Sequence, residues 1–378
     1  MSKTSRGFIA IHCGAGYHSK KKSENYNALA RKACRAAIEA LRSGKSAREA
    51  VVLAITCLED DTITNAGNGS NLTFAGDVEC DASIMCGRTL NFGAIGAVSH
   101  VKNPIKLAHE LLVYQEEVES NLMGRIPPNM LCGKGAKKFA KERNLEVVGS
   151  QELISDDMFR QHCKYTKAYT KELKKFQENS LPPSKKQRVD SENIFKTNDS
   201  NQDKSILHDT VGAVCVDCYG NVVAGVSSGG ILIKQPGRVG QAAMYGAGCW
   251  ADKKNDDCIA ISTTGSGESL TKTLLAYSLA LKLQKSHSII TDLDEVFNDC
   301  FMNSRFVNDV TGRFAGVLGV KSTPLEKNDT TDTEFEIFVT FSSDSMSIGY
   351  QTTADEEASA EILRKAKDQT TAAFHKTL

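Results

Sequence analysis

An acid and a threonine, Asp209 and Thr210, stand side by side directly before the apolar run from Val211 to Val216. That run has the β-branched character of a buried strand. A threonine hydroxyl is a weak nucleophile at neutral pH unless a base lies beside it, and a free α-amine on the same residue can serve as that base. An α-amine has a reference pKa of about 7.7 to 8.0, so part of it is unprotonated at neutral pH. The pair is therefore a candidate for a self-cleaving bond that makes Thr210 an N-terminal nucleophile.

The dipeptide alone does not decide the matter, because an Asp-Thr pair is also ordinary where a turn enters a strand. Asp-Thr occurs four times in the chain, at residues 61–62, 209–210, 329–330 and 332–333. Only the pair at 209–210 separates a long polar segment from an apolar, strand-like run. Attack of the Thr210 hydroxyl on the Asp209 carbonyl would give an ester, and its hydrolysis would leave chains 1–209 and 210–378.

Composition excludes several classes of protein. The 378 residues are enough for one large core or two smaller ones. Lys plus Arg and Asp plus Glu each number 46, so no global attraction to nucleic acid or to a membrane is expected. No window approaches the run of about 18 apolar residues that spans a bilayer, and the N-terminal apolar run is too short for a signal peptide. We expect a soluble, intracellular protein.

The twelve cysteines are scattered and mostly lie in apolar segments, which predicts reduced, buried thiols rather than disulfides. Cys215 and Cys218 form a C-x-x-C pair. In a strand, however, an odd separation points two side chains to opposite faces, and no second pair with zinc-like spacing follows. The sequence therefore predicts no metal site, and no residue pattern indicates a cofactor.

Strand-like and helix-like segments indicate sheets covered by helical layers rather than a regular βαβ alternation. Strands are predicted at 7–12, 91–98, 210–216, 221–228, 258–263, 314–320, 335–341 and 346–351. Helices are predicted at 104–114, 269–283, 292–303 and 355–375. Another helix follows the first strand, because Tyr26, Ala30, Ala33, Ala37 and Leu41 recur on one face. Ser46 and Glu49 predict a capping box for the next helix.

Two further segments differ from these elements. From residue 61 to residue 87 the chain is rich in Gly, Asn and Ser, which predicts structured loops around a site. Residues 164–207 are polar and lysine-rich; 164–177 can form a charged helix, and the rest lacks the apolar surface to offset its ordering entropy. Basic residues in this insert resemble a two-part nuclear import signal, at Lys174, Lys175, Lys185, Lys186 and Arg188. The alternative is a solvated linker.

Several motifs, in this order, resemble the asparaginase-type N-terminal nucleophile hydrolases, and most closely the threonine aspartases among them. They are "HCGAG", "LEDDTITNAGNGSNL", "GDVECDASIM", "TVGAVCVDCYGN", "VVAGVSSGGILIKQPGRVGQAAMYGAG" and "CIAISTTGSGES". The resemblance implies an α+β fold, a four-layer αββα sandwich. It implies an alpha subunit (1–209, with the insert) and a beta subunit (210–378) after self-cleavage, and a dimer of such two-chain units.

The resemblance also assigns roles to residues. It makes Thr210 the nucleophile and Ser228 the hydroxyl that supports it. Thr264 and Gly265 correspond to the donors that stabilise the oxyanion, and loss of one such donor costs about 2.7 to 4 kcal/mol of barrier lowering. Asn65 corresponds to an amide that positions the amine or the hydroxyl. On the residues alone, the alternative is that Ser228 merely holds a turn.

A second set of residues corresponds to the substrate pocket, which Gly267 lines. Arg238 matches the residue that clamps a substrate carboxylate, for which its planar fork is suited; Lys22 is a weaker candidate for the same acidic group. On the residues alone, Arg238 could cap a helix and Lys22 could be solvated. Gln241 departs from the family, whose small-molecule asparaginases carry Asp there to pair with the free α-amine of an amino acid. A peptide bond has no such amine, so an Asp would be left unpaired in a buried site.

These features predict a self-processed threonine endopeptidase that cleaves proteins after an internal Asp. The resemblance further implies nuclear transcription regulators as substrates. The predicted partners are such proteins and a nuclear import receptor, and the predicted location is nucleus and cytoplasm. Two alternatives remain at this level: an L-asparaginase or isoaspartyl peptidase acting on small amides, and an uncleaved nuclear binding module.

Overall fold

Two β-sheets packed face to face form the centre of the protein, and helices cover their outer faces. The computed structural model describes residues 6–117, 122–178, 210–254, 257–308, 313–327 and 330–378. Within them the first sheet has eight strands. Their spatial order is β12 (Ser359–Arg364), β11 (Ser345–Thr352), β1 (Phe8–Gly16), β5 (Val211–Val216), β6 (Val222–Ser228), β2 (Cys80–Cys86), β3 (Phe92–Val98) and β4 (Met130–Cys132).

The second sheet has five strands in the same described residues and is antiparallel throughout. Their order is β13 (Ala372–Thr377), β10 (Thr330–Phe341), β9 (Ala315–Lys327), β8 (Asp257–Gly265) and β7 (Cys249–Lys254). It packs on the first sheet through contacts of β8 and β9 with β5 and of β7 with β6.

Helices form the two outer layers. The first sheet is contacted by α1 (Ser23–Arg42), α2 (Ala47–Glu59), α3 (Pro104–Glu117) and, at its edge strands β3 and β4, by α4 (Gly133–Glu142). α5 (Asp156–Glu178) follows α4 and includes the start of the insert. The second sheet is contacted by α7 (Leu275–Leu283) and α8 (Ile289–Phe297) and by the short α6 (Gly267–Thr273) that precedes them. The four layers give the αββα sandwich that the sequence predicted.

Strands β5 and β6 are buried at every position, and β1 at every position but its last, because both of their faces are covered. In β1, Phe8 and Ala10 pack into the core between the sheets, whereas Ile9 and Ile11 pack under the helices. The same alternation in β5 turns Val214 toward the second sheet. Since side chains alternate along a strand, Thr210 also faces the second sheet. This orientation places the candidate nucleophile between the sheets.

The local predictions for the first helices are confirmed. The predicted face of α1 is buried, including Tyr26, Ala30 and Leu41. Ser46 and Glu49 form the capping box at the start of α2, with the Ser46 hydroxyl accepting from the Glu49 N–H and the Glu49 carboxylate accepting from the Ser46 N–H. These features depend on neighbours within one helical turn, so the sequence is enough to predict them.

The prediction of a helix at 355–375 is wrong. The chain there forms β12, which pairs with β11, and β13, which pairs with β10. Alanine, lysine and glutamate favour helix by propensity, but each sheet offers an unpaired edge, and pairing with that edge outweighs the local preference. The prediction of loops throughout 61–87 is wrong at its end, because Cys80–Cys86 forms the buried strand β2.

Other predicted elements hold with changed limits. The helix predicted at 269–283 is divided at Leu274, whose φ of 45° is left-handed. The helix predicted at 292–303 ends at Phe297 and continues as a π-helical turn, Asn298–Met302. The charged helix predicted at 164–177 is part of α5, and Lys174 and Lys175 are exposed on its last turns. Lys185, Lys186, Arg188 and Asp209 lie outside the described residues.

The cysteines are free thiols, all twelve of them. Burial raises the pKa of the Cys215 and Cys249 thiols, which makes them inert, small apolar groups. Across the residues that the structure describes, no three His, Cys, Asp or Glu side chains are grouped as metal ligands would be. Within the same residues, every helix is too short or too polar to cross a bilayer.

Candidate active site

The hydroxyls of Thr210 and Ser228 contact each other at the ends of two paired strands. Val211 of β5 is opposite Ser227 of β6, so the next pair in this register is Thr210 and Ser228. Thr210 Oγ1 donates a hydrogen bond to Ser228 Oγ at 3.0 Å. Thr210 is 3 % exposed and Ser228 is 4 % exposed. The predicted nucleophile therefore has an oriented hydroxyl in a site that excludes most water.

The turn after β6 fixes the Ser228 hydroxyl. Ser228 Oγ accepts a second hydrogen bond from the Gly230 N–H at 3.0 Å. The Gly230 carbonyl accepts from the side-chain amides of Asn65 and Asn71, both at 2.8 Å, and the Gly229 N–H donates to the Asn65 carbonyl. Asn65 thus holds this turn. Within the described residues its side chain makes no hydrogen bond to Thr210, so its link to the Thr210 hydroxyl is indirect, through the turn that holds Ser228.

Gln241 contacts the nucleophile directly. Its Nε2 donates to Thr210 Oγ1 at 3.3 Å, and the residue is 3 % exposed. Gln241 lies at the start of a 3₁₀ turn, Gln241–Ala243, that follows the Arg238 loop and contacts α6. The neutral amide can donate to the hydroxyl and accept through its other atom, which a carboxylate could not do.

Arg238, Gln241 and Gly267 converge on one pocket. A Cβ added to Gly267 would lie 2.6 Å from Arg238 Nη2 and 2.8 Å from Gln241 Oε1. Only glycine leaves room there for the guanidinium and the amide. The structure therefore brings together three of the residues that the sequence assigned to the substrate pocket.

Arg238 is held from one side by a carboxylate that the sequence analysis did not consider. Its Nε and Nη2 donate to the two oxygens of Glu268 at 2.9 and 2.8 Å. Burial raises the pKa of Glu268, but hydrogen bonding to Arg238 and the Arg238 charge outweigh this and lower the pKa. In the described residues Arg238 Nη1 has no hydrogen-bond acceptor, and it lies 3.0 and 2.7 Å from the Cβ positions of Gly230 and Gly240. The end of the fork is thus directed toward the glycine-lined side of the pocket.

Thr264 and Gly265 end strand β8, beside the turn of β1. Thr264 is fully buried, and its Oγ1 accepts from the Ala15 N–H at 3.4 Å. Gly265 has a φ of +135°, a conformation that side chains other than glycine rarely adopt. The "HCGAG" and "TTGSG" motifs therefore meet in space, although about 250 residues separate them in sequence.

Lys22 lies apart from this cluster. It ends an exposed 3₁₀ turn, Lys20–Lys22, and within the described part of the chain its ammonium makes no hydrogen bond. Its backbone N–H donates to Ser19. The structure does not bring Lys22 into contact with Arg238, Gln241 or Thr210.

Known proteins show the same sequence features over most of the chain. Residues 5–323 match the sequence model of the asparaginase family. The chain belongs to that family. An isoaspartyl peptidase/L-asparaginase of Xenopus laevis is 33 % identical over 314 residues, covering 83 % of this chain and 85 % of the relative. Proteins of the same name from Homo sapiens and Mus musculus are 35 % and 36 % identical, covering 74 % and 71 % of this chain and 78 % and 70 % of their own lengths.

Membership of the asparaginase family confirms the N-terminal nucleophile fold and makes the chain a hydrolase. These relatives are named isoaspartyl peptidase/L-asparaginase, so they support the family without supporting the narrower resemblance to threonine aspartases. The residues of its own pocket are therefore the basis for inferring the substrate of this family member.

Sequence reasoning missed several buried polar residues of this asparaginase-family site. His12 Nε2 contacts Ser262 Oγ at 2.9 Å, and burial lowers the pKa of His12 to about 3, so the ring is neutral. Asp81 and Lys234 are also buried behind the pocket. His12, Asp81 and Lys234 lie inside the motifs that carry the family resemblance. Polar residues inside these motifs are candidates for the site by their position alone. The sequence does not show, however, which of them are buried and which are exposed.

Glu59, at the end of α2, is a fully buried carboxyl group of this family member. Its Oε1 accepts from the Ile105 N–H at 2.9 Å. Burial raises the pKa of Glu59 from 4.5 to about 8, against the effect of nearby Ser227, Ile105 and Asn103. Ser227 adjoins Ser228, but because side chains alternate along β6 it faces the helices, so Glu59 lies on the helix-covered face of the sheet behind the site.

Glu59→Gln is expected to reduce the pH dependence of stability. Between pH 4.5 and pH 8 the folded chain holds a proton on Glu59 that the unfolded chain releases. The free energy of unfolding therefore falls as pH rises through this window, by up to about 1.4 kcal/mol per pH unit for one proton. Urea unfolding at both ends of the window measures the slope. Exposed Glu142→Gln is the control and should keep the original slope; an unchanged slope in Glu59→Gln would contradict the assignment.

Proposed function

We propose that this chain is an N-terminal nucleophile hydrolase that cleaves itself between Asp209 and Thr210 and then cleaves proteins after an internal aspartate. The oriented and buried Thr210 hydroxyl supports the first part. Self-cleavage begins with attack of Thr210 Oγ1 on the Asp209 carbonyl carbon, which breaks the Asp209–Thr210 amide and frees the Thr210 amine. Water then hydrolyses the resulting ester.

The same residues would then act on the substrate. The freed α-amine takes the proton from Thr210 Oγ1, with Ser228 Oγ as the hydrogen-bond partner that holds the hydroxyl. Thr210 Oγ1 attacks the substrate carbonyl, and Thr264 and Gly265 are positioned at the end of β8 to stabilise the oxyanion. The amine returns the proton to the leaving group, and water releases the acyl group. The proton that the leaving group receives is the one taken from Thr210 Oγ1, so the amine ends this step as it began.

The observation that carries the substrate assignment is the contact of Gln241 with the nucleophile. Gln241 Nε2 is 3.3 Å from Thr210 Oγ1 in a buried pocket. By the family resemblance, small-molecule asparaginases use Asp at this position to bind a free α-amine. A neutral amide cannot provide that ion pair, but it leaves no charge unpaired when a peptide bond is bound. Gln241 therefore favours a peptide backbone in the pocket, while Arg238 supplies a cation for the aspartate side chain.

Isoaspartyl peptidase or L-asparaginase activity is the second candidate. It is favoured by the names of the relatives, which are 33 % to 36 % identical in the examples above. Ammonia release from free asparagine, or cleavage of a β-aspartyl dipeptide, tests it directly. Membership of a hydrolase family argues against the third possibility, an uncleaved nuclear binding module.

Gln241→Asp is expected to shift the preference from peptides toward small amides. The carboxylate would pair with a free α-amine, and beside a peptide bond it would be a buried, unpaired charge. We expect kcat/KM for a peptide with an internal Asp to fall about 10-fold or more, since an unpaired buried group costs about 1 to 3 kcal/mol. The measurement compares this peptide with free asparagine and a β-aspartyl dipeptide.

The matched control for this prediction is Gln235→Asp, an exposed glutamine in the preceding turn. It adds the same charge outside the pocket and should leave the preference unchanged. Unaltered peptide kinetics in Gln241→Asp would show that Gln241 does not set the preference for peptides. Efficient hydrolysis of free asparagine by the unmodified protein, without peptide cleavage, would favour the second candidate.

The sequence also suggests two kinds of protein partner. We propose that an import receptor binds the basic residues of the insert, Lys174, Lys175, Lys185, Lys186 and Arg188, and that nuclear proteins are substrates. Exposure of Lys174 and Lys175 is compatible with this role. An unchanged nuclear fraction after substitution of all five residues would contradict it. A dimer of two-chain units is likewise proposed from the family resemblance, and sedimentation of the processed protein tests it.

A further inference from the structure

Lys234 is a buried lysine behind the pocket whose ammonium joins two strand ends. It is 2 % exposed. Its Nζ donates to the Gly229 carbonyl at 2.9 Å and also donates to the Glu79 carbonyl. Gly229 directly follows β6, and Glu79 directly precedes β2, which pairs with β6 so that Asp81 is opposite Ser228. One ammonium therefore ties together the two strand ends that flank Ser228.

The backbone of Lys234 leads into the Arg238 loop through a short, braced turn. Its carbonyl accepts from the Phe74 N–H at 2.7 Å, which fixes the start of the loop. Between Lys234 and Arg238 lie Gln235, Pro236 and Gly237, and the Arg238 N–H donates to the Gln235 carbonyl at 3.0 Å. Gly237 has a φ of +82°, as expected for the third residue of a Pro-Gly turn. The backbone between Lys234 and Arg238 therefore has little conformational freedom.

Carboxylates of the β2 segment brace the same loop. Glu79 Oε2 accepts from the Gly237 N–H at 2.7 Å. Buried Asp81 accepts from the Gly240 N–H at 2.7 Å and from the Ala97 N–H at 2.8 Å. Gly240 precedes Gln241, so β2 fixes the loop on both sides of Arg238. Lys234 links this loop to the Ser228 turn through its hydrogen bond to the Gly229 carbonyl.

A nearby carboxylate, Asp81, offsets part of the cost of burying the Lys234 ammonium. Burial lowers the pKa of Lys234, and the Asp81 charge opposes that shift. Lys234 Nζ and Arg238 Nη1 lie 3.1 and 3.0 Å from the same point, the Cβ position of Gly230. The ammonium therefore lies beside the guanidinium, and a substituent on Gly230 would contact both cations.

We infer that Lys234 is a positioning residue that sets the Ser228–Gly230 turn and the Arg238–Gln241 loop in one fixed arrangement. In this arrangement Lys234 positions both the Ser228 hydroxyl, which supports the nucleophile, and the Arg238 guanidinium, which binds the substrate carboxylate. The inference concerns the geometry of the pocket, so it applies to a peptide substrate and to a small amide alike.

The test compares Lys234→Met with Lys321→Met. Lys321 is a matched control because it is 9 % exposed and its Nζ donates to the Ser286 carbonyl at 2.7 Å, on the second sheet. Hydrogen exchange is measured in the peptides that cover residues 228–241, in uncleaved Thr210→Ala protein. We expect Lys234→Met to accelerate exchange there and Lys321→Met to leave it unchanged. Unchanged exchange in Lys234→Met would overturn the inference.

Kinetics of the processed proteins separate positioning from general stability. We expect Lys234→Met to raise KM about 10-fold, with a smaller fall in kcat, because displacement of Arg238 by a fraction of an ångström weakens binding. Lys321→Met should lose stability without this KM change. Equal KM values in Lys234→Met and the unmodified protein would overturn the inference.

A second variant covers the case in which Lys234→Met does not fold. Lys234→Met combined with Asp81→Asn removes both buried charges, so no unpaired carboxylate remains. The double variant should be more stable than Lys234→Met. Because Asp81→Asn alone loses an acceptor for the Gly240 or the Ala97 N–H, that single variant is the reference, and the double variant should exchange faster than it at 228–241; equal exchange in the two would overturn the inference. If the unmodified protein hydrolyses neither a peptide nor a small amide, the proposed function fails, and the exchange comparison still decides the role of Lys234.

Discussion

Thr210→Ala is expected to abolish both the cleavage of the chain and the hydrolysis of any substrate. In the proposed mechanism the hydroxyl that attacks Asp209 is also the one that attacks the substrate, and it is this hydroxyl that contacts Ser228. Loss of a hydrolase nucleophile lowers kcat by roughly a millionfold. Denaturing electrophoresis and N-terminal sequencing measure the first effect. The unmodified protein should give a second chain that begins Thr-Val-Gly-Ala, and the variant should remain a single chain of 378 residues.

Two control variants make this test specific. Thr62→Ala alters another Asp-Thr pair, in an exposed turn after α2, and should leave processing and activity unchanged. Thr210→Ser keeps a hydroxyl and should retain both reactions at a lower rate. An active, cleaved Thr210→Ala protein would refute the nucleophile assignment. An unmodified protein that is active as one unbroken chain would refute the need for a free amine.

Arg238→Lys is expected to raise KM for an aspartyl substrate about 10- to 150-fold with a smaller effect on kcat. Lysine keeps the positive charge but lacks the planar fork, and each charge-assisted hydrogen bond contributes about 1.5 to 3 kcal/mol. Glu268 already binds the Nε and Nη2 edge, so the end bearing Nη1 is the part that can meet a substrate carboxylate. Steady-state kinetics with a peptide containing Asp, and with the same peptide containing Asn, measure the effect.

The control for this prediction is Arg143→Lys. Arg143 is likewise paired with acidic side chains, Glu110 and Glu117, but it lies at the surface between α3 and α4. Its substitution should leave KM unchanged. If Arg238→Lys keeps the original KM and the preference for Asp over Asn, then Arg238 does not bind the substrate side chain. The exposed Lys22 would then have to be tested as the alternative.

Short-range features of the sequence were sufficient for part of the fold. The period of α1 and the capping box of α2 depend on side chains within one turn of each other, and both are confirmed. The apolar runs at β1, β5 and β6 predicted strands because both faces of those strands are covered. The segment from 355 to 375 failed, since its strands form only where sheet edges formed by distant residues are available.

The candidate site divides in the same way. The order of motifs in the sequence singled out Thr210, Ser228, Arg238 and Gln241, and each lies at the pocket. Asn65 was also singled out, but its side chain contacts the turn at Gly230 rather than the Thr210 hydroxyl. Lys22 was singled out as well and lies outside the cluster. A motif identifies which residue types are available, whereas only the folded chain decides which of them meet.

The sequence by itself determined the fold family and the residue that can become a nucleophile, because these are carried by local patterns and by ordered motifs. Tertiary structure alone decided that Gln241 contacts Thr210, that Glu268 holds Arg238 and that Lys234 is buried behind both. Each of these contacts depends on how loops close over two packed sheets. Loop closure is set by the sum of many weak, distant interactions, which no short stretch of sequence contains.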